Sequence, residues 1–288
     1  MQVTVYSPAK INLTLDVVGV RADGYHLLES VMQSVDCCDT LTATATDGEL
    51  TLETVGAPPC PMEKNTAYRA AQVFLCETGV KGGAALTLRK HIPQQAGMGG
   101  GSADAAATLI ALDKLYDTRL TTEKLCAMGA QVGADVPFCV LGGTAMVTGI
   151  GEGLEPLPSL PDCYIVVAQP TDGVSTAAAY AALDSMPITR RPDNCAVRDA
   201  LCCGDLGAVC AGVFNVFEGA TAIDGVLAIR RQMEQFSPLA SQMTGSGSAV
   251  FAIFDDDERA KACADALARK HPVAFVCRPC DGNRVEIN

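Results

Sequence analysis

The densest chemistry in this 288-residue sequence lies in Pro93-Gln-Gln-Ala-Gly97-Met98-Gly99-Gly100-Gly101-Ser102-Ala103-Asp104. Glycine lets a backbone approach a ligand closely and adopt positive φ. A helix that starts after such a loop offers unpaired N–H groups and a positive dipole end, and both suit phosphate. Ala105, Leu109, Leu112 and Leu115 recur at near-helical spacing and predict that helix over 102–115, with Ser102 at its start. The Ser102 hydroxyl could bond a phosphate or a metal-bound water. Alone, the same residues also describe a flexible turn with a serine cap. No Lys-Ser/Thr pair follows the last glycine, so the loop is not a Walker A loop. It also lacks the βαβ setting of a dinucleotide fingerprint and any HRD or DFG element.

Three further segments carry polar groups at informative spacing. Ser7-Pro-Ala-Lys10-Ile-Asn12-Leu joins two predicted strands, Gln2–Tyr6 and Ile11–Val20, and Lys10 and Asn12 share strand parity and hence one face. A single lysine on a strand is more often a solvated edge residue. Gly133-Ala-Asp135-Val-Pro137 puts an acid before a predicted helix with proline near its first position; in isolation, a helix cap is the plainer role for Asp135. Thr244-Gly245-Ser246-Gly247-Ser248 precedes a strand over Ala249–Phe254 and reads equally well as a tight turn.

The elements that must position these groups follow from periodicity and turn signals. Asp23-Gly24 marks a turn, and Asp47-Gly48 predicts a two-residue hairpin between Leu41–Thr46 and Glu49–Thr54. Asn65 caps a helix over Ala67–Glu77, Leu86–Arg89 is a short strand, and Thr121 starts another helix. A strand is expected over Thr144–Thr148. The proline-rich run Pro156–Pro161 reads as a linker, dividing the chain into 1–157 and 158–288. The second part alternates strand Tyr164–Ala168, helix Thr176–Leu183, helical material over Ala196–Arg231, strand Ala249–Phe254, helix Asp257–Lys270 and strand Ala274–Arg278. Both parts read as α+β or mixed α/β.

Composition narrows the partners. A formal charge of −12 argues against general nucleic-acid affinity, and no apolar run is long enough to span a membrane. The fourteen cysteines are scattered and follow no secretory leader, so a cytoplasmic protein with reduced thiols is expected. Cys277-Arg-Pro-Cys280 is a lone CxxC, a weak zinc signal without a second pair.

Taken in order, Pro8-Ala-Lys10-Ile-Asn12-Leu13, the Pro93–Ser102 loop, Gly133–Pro137 and the Thr244–Gly247 turn resemble the GHMP kinase superfamily over nearly the whole sequence. Asp23-Gly24-Tyr25-His26, with Gly173-Val174-Ser175-Thr176 and Tyr180, narrows the resemblance to the subfamily that acts on 4-diphosphocytidyl-2-C-methyl-D-erythritol in non-mevalonate isoprenoid synthesis. The resemblance implies a two-domain α+β fold: an N-terminal ATP-binding domain with a mixed or antiparallel sheet, and a ferredoxin-like C-terminal domain. It implies ATP and Mg²⁺, a small-molecule acceptor phosphorylated at its 2-hydroxyl, and a monomer or homodimer. By the same resemblance Asp135 is the general base and Lys10 its partner, and Asn12 and Thr176 belong to the acceptor site. Tyr25 and Tyr180 stack on the cytosine and His26 reads its edge. Pro93, Gly97, Met98, Gly99, Gly100, Gly101, Ser102 and Ala103 cradle the phosphates, and Asn65 and Lys90 sit near the adenosine. The metal ligands stay unassigned, with Ser102 a candidate. Asn215-Val216-Phe217-Glu218 departs from the family's Asn-Asp-Leu/Phe-Glu, and Met98 stands where leucine is usual. Another small acceptor, such as mevalonate or homoserine, would give the Tyr25-His26 pair no base to bind.

Overall fold

The computed structural model describes residues 1–171, 175–221 and 223–288. The chain opens with β1 (Gln2–Asn12), β2 (Thr14–Val20) and β3 (His26–Thr46). The strand expected over Ile11–Val20 is interrupted at Leu13, so Lys10 and Asn12 both end β1. Next come β4 (Thr51–Val55), α1 (Thr66–Thr78), β5 (Gly83–Arg89), α2 (Gly100–Leu115), α3 (Thr122–Ala130), α4 (Val136–Leu141), β6 (Thr144–Gly149) and β7 (Gly153–Leu157). β7 occupies the start of the segment read as a linker, with Pro156 inside it and β6 as its partner.

β3 organises the first sheet. Its 21 residues are long enough to pair antiparallel with β6 near Leu28–Gln33, with β1 over Met32–Thr44 and with β5 over Thr40–Thr46. A bulge opposite Pro8 and Ala9 leaves Asp36 and Cys37 without partners on β1 and bends the strand. The hairpin expected at Asp47-Gly48 does not form. β5 enters between β3 and β4, antiparallel to the first and parallel to the second. Gly83, at the start of β5, makes this insertion possible, because a Cβ there would lie 2.1 Å from the Gly48 carbonyl oxygen. α2 packs on β1 and β3 and is buried on nearly every side. Its alanines at 103, 105, 106, 107 and 111 allow that close approach.

The rest of the chain comprises β8 (Tyr164–Gln169), α5 (Thr176–Asp184), α6 (Asn194–Cys203), α7 (Leu206–Gly212), β9 (Phe214–Asn215), α8 (Val216–Thr221), α9 (Asp224–Glu234), β10 (Ala240–Met243), β11 (Val250–Phe254), α10 (Asp257–Ala268), β12 (Val273–Cys277) and β13 (Arg284–Ile287). A four-stranded antiparallel sheet has the order β10-β11-β8-β12, the βαββαβ arrangement of a ferredoxin-like domain. β8 and β11 read as continuous apolar runs because both faces are covered. Ile165, Val167, Phe251 and Ile253 join the core shared with the first sheet, while Val166, Ala168, Val250 and Phe254 pack with α5, α9 and α10. β13 returns to the first sheet and pairs with β1, and β9 pairs with β2. The two parts are thus joined by strands as well as by packing.

All fourteen cysteines are free thiols. Burial pushes Cys163 and Cys210 up to about 12 and raises Cys139 and Cys277 as well, which leaves them protonated and unreactive. Cys277 of the CxxC donates from Sγ to the Ile165 carbonyl. Among the described residues, no helix is long and apolar enough to cross a membrane.

Candidate active site

The glycine loop is seated on β1. The Lys10 amide donates to the Met98 carbonyl at 3.0 Å, and Gly99, at φ 70°, lies against the Lys10 side chain, where a Cβ would meet Cγ at 3.0 Å. Gly99, not Ser102, occupies the N-cap of α2, which begins at Gly100. The glycines continue straight into the helix, so the N–H groups presented by the first turn are those of Gly100, Gly101 and Ser102. Ala103 is not brought to a cavity wall: it is buried, and its amide is spent on the Gly99 carbonyl. The Met98 side chain is core, which leaves its backbone for the loop.

Lys10 is buried, not a solvated edge lysine. Its Nζ donates to Asn12 Oδ1 at 2.7 Å and lies 3.5 Å from Asp135 Oδ2. The Asn12 amide is engaged on all sides. Oδ1 also accepts from the Gly245 amide, and Nδ2 donates to Ser30 Oγ, so Asn12 ties Lys10 to the Thr244–Gly247 turn. Asp135 stands at the N-cap position of α4 but caps no backbone N–H. Its carboxylate is therefore turned to Lys10 and the cavity, with about 30 % of the side chain exposed.

Two cavities meet at this point. One of about 660 Å³ is lined by Lys10, Asn12, Asp135, Tyr25, His26, Thr176, Tyr180 and Phe217 among others. The second, about 430 Å³, is lined by Asn65, Lys90, Pro93 and the loop from Gln94 to Ser102. Gly97, Gly99 and Ser102 belong to both walls. In the larger cavity His26 lies against Tyr180, ring centroids 4.5 Å apart, and Phe217 meets Tyr180 edge-on at 4.9 Å. Tyr25 lines the same cavity but is 61 % exposed. It is thus His26, and not Tyr25, that touches Tyr180. Burial, reinforced by the charge of Asp135, pushes the Tyr180 phenol up to about 12. Thr176 Oγ1 sits 3.2 Å from Ser246 Oγ, which closes α5 onto the glycine turn. Gly173 and Val174 lie outside the described residues.

Residues 65–143 match the family model of the GHMP kinases N terminal domain, and residues 198–273 that of the GHMP kinases C terminal. The chain is 42 % identical to the 4-diphosphocytidyl-2-C-methyl-D-erythritol kinase of Exiguobacterium sibiricum, an alignment covering 93 % of this chain and 94 % of that one. It is 41 % identical to the protein of the same name from Moorella thermoacetica, over 93 % of this chain and 96 % of that one. A crystal structure of 4-(cytidine 5'-diphospho)-2C-methyl-D-erythritol kinase superposes with a TM-score of 0.81 at 33 % identity, covering 97 % of this chain and all of that one. The chain belongs to the 4-diphosphocytidyl-2-C-methyl-D-erythritol kinase family of GHMP kinases.

A homoserine kinase from Cytophaga hutchinsonii, at 18 % identity and a TM-score of 0.77, shares the fold. Two residues in and beside the larger cavity were not legible from motifs. Asp184, in the last turn of α5, places Oδ1 2.8 Å from His26 Nε2. Phe217 lines the cavity from the segment that departs from the family pattern. Val216 is buried there among apolar neighbours, and Asn215 holds the turn by donating to the Met243 and Gly245 carbonyls and accepting from the Phe217 amide. Neither Asp184 nor Phe217 has a spacing signal, because Phe217 reaches the cavity, and Asp184 the His26 that lines it, from separate elements.

Lys90 also has partners that no motif announced. Its Nζ sits between Asp39 and Asp104, both almost fully buried. Burial alone would lower the ammonium, but attraction to Asp104 and Asp39 outweighs it and the pKa rises. Burial pushes Asp104 up to about 8, opposed by Lys90 and reinforced by Asp39. Asn65 caps α1 through Oδ1, which accepts from the Ala67 amide, as expected.

Proposed function

We propose that this kinase transfers the γ-phosphoryl group of ATP to the 2-hydroxyl of 4-diphosphocytidyl-2-C-methyl-D-erythritol, in isoprenoid precursor synthesis in the cytoplasm. The observation that carries this reading is the meeting of the two cavities at Gly97, Gly99 and Ser102, with Asp135 and Lys10 on the acceptor side of that boundary. A tertiary alcohol is a poor nucleophile and needs a base and close positioning. Asp135 is the one to take its proton. Lys10, held by Asn12, stands beside that carboxylate and stabilises the developing alkoxide. The first-turn N–H groups of α2 face the charge gathering on the transferred group.

Asn65, Lys90 and Pro93 line the cavity assigned to the nucleoside end of ATP. The Ser102 hydroxyl lies on both walls and has no hydrogen-bond partner among the described residues, so it suits a hard cation carried in on the triphosphate. Mg²⁺ held by Ser102 and phosphate oxygens would neutralise phosphate charge. At the far end of the larger cavity, Tyr25, His26, Tyr180 and Phe217 form an aromatic pocket suited to a flat base.

The test is turnover of the cytidylyl substrate with ATP and Mg²⁺, with competition by cytidine diphosphate. A folded protein that phosphorylates mevalonate or homoserine instead, or that binds ATP and transfers nothing, overturns the assignment. Tyr25→Ala is expected to raise KM for the cytidylyl substrate by the loss of one stacking partner, about 1–3 kcal/mol, with kcat little changed. Lys10→Met is expected to lower kcat by about 10²-fold, since it removes a preorganised cation beside the reacting oxygen. Steady-state kinetics on both variants reads these outcomes directly.

A further inference from the structure

The ATP-facing cavity is built on a buried cluster that the phosphoryl-transfer scheme above does not use. Lys90 Nζ donates to Asp39 Oδ2 and, at 2.6 Å, to Asp104 Oδ2, and it lies 3.4 Å from the Gly100 carbonyl. The other oxygen of Asp39 accepts from the His91 and Ile92 amides at 2.6 and 2.9 Å. Lys90 in turn donates its own amide to the Val55 carbonyl. The cluster therefore joins four segments: β3 through Asp39, the end of β4 through Val55, the chain leaving β5 through residues 90–92, and the first two turns of α2 through Gly100 and Asp104. Residues 93–99, the loop proper, hang between the last two.

A lysine beside a triphosphate site can be left free to meet phosphate as a point charge. Lys90 is not: both carboxylates already hold it, and its side chain is only 9 % exposed. Two carboxylates around one ammonium are more acid than the lysine needs, which burial makes costly unless the arrangement does something else. Among the described residues Asp104 Oδ1 has no hydrogen-bond partner, so the second carboxylate is not there to complete a saturated network. What the two acids achieve is geometric. Asp39 sets where the chain enters the loop, Asp104 sets where it leaves, and Lys90 fixes the distance between them.

We propose that Asp39 and Asp104 are positioning residues for the triphosphate, acting through Lys90 to set the span of the glycine loop. A displacement of about 1 Å in a loop that positions the reacting group can cost about 10²-fold in rate. The acceptor cavity shares Gly97, Gly99 and Ser102 with this loop but takes the rest of its wall from β1, β3 near His26, α4 and α5, so its affinity passes through this cluster only in part.

The experiment compares Asp39→Asn, Asp104→Asn and Asp113→Asn in the full chain. Asp113 is the control. It is equally buried on the same helix, but its carboxylate holds Thr118 Oγ1 and the Leu120 amide at the far end. Affinity for a non-hydrolysable ATP analogue with Mg²⁺ is measured by calorimetry, with KM for ATP and for the acceptor, and Tm. Asp39→Asn is expected to weaken the analogue and raise KM for ATP by about tenfold, and Asp104→Asn by about threefold, with a smaller rise in KM for the acceptor. Asp113→Asn is expected to lower Tm while leaving analogue affinity within about twofold. Analogue affinity unchanged in both cluster variants, or weakened as much in Asp113→Asn, overturns the proposal. If Asp39→Asn does not fold, Asp104→Asn against Asp113→Asn decides the matter alone. Analogue binding needs no acceptor, so an error in the acceptor's identity would leave this result standing.

Discussion

Asp135→Asn is expected to lower kcat by about 10²–10⁴-fold while leaving KM for the acceptor nearly unchanged. The asparagine keeps the shape of the side chain at the start of α4, and because Asp135 caps no backbone N–H there, the helix loses nothing. What is lost is the ability to accept a proton. Lys10 keeps its 2.7 Å bond to Asn12 in the variant, so the ammonium is not released into the cavity. A single-turnover assay with saturating ATP and cytidylyl substrate separates the chemical step from binding. Near-normal turnover would remove Asp135 from the base role. A large rise in acceptor KM with kcat intact would make it a binding residue instead.

Gly97→Ala is expected to destabilise the protein by about 2–5 kcal/mol, through a side chain at positive φ together with overpacking. Gly97 has φ 73°, and its Cβ would fall 2.2 Å from the Thr244 carbonyl oxygen and 3.2 Å from that of Gly247. Both obstacles are backbone and neither can swing aside. The approach is reciprocal, since a Cβ on Gly245 would lie 2.9 Å from the Gly97 carbonyl oxygen. Relief therefore requires the loop and the turn to separate, which strains the bonds from the Ser248 and Ala249 amides to the Gln95 and Ala96 carbonyls. Because Gly97 lies on the walls of both cavities, ATP and acceptor affinities should fall together. Calorimetry should show Tm lower by about 3–8 °C. An unchanged Tm with unchanged KM values would mean that the contact carries no load.

These two variants mark different kinds of legibility. The glycine loop, the Lys10–Asn12 pair and Asp135 could be picked out by local pattern. Shared parity on a strand puts Lys10 and Asn12 on one face, and a glycine run before an apolar helix announces an anion site. The Asn65 and Thr121 caps were legible for the same reason, since a cap depends only on the next three residues. The hairpin at Asp47-Gly48 failed because turn chemistry describes the turn and not who pairs beyond it. β5, some forty residues on, displaces the local partner because Gly83 fits against the turn. Ser102 as N-cap failed because glycines are silent about where a helix begins.

The sequence by itself determined the family, the order of the site segments and the residue types able to bind phosphate and move a proton, because each of these is encoded in contiguous residues. Only the tertiary structure decided that the cavities share the wall of Gly97, Gly99 and Ser102. It alone set His26 against Tyr180 and Asp184, locked Lys90 between Asp39 and Asp104, and joined Asn12 to a turn more than two hundred residues away. Those contacts depend on strand order and on how two sheets pack, and no local spacing records either.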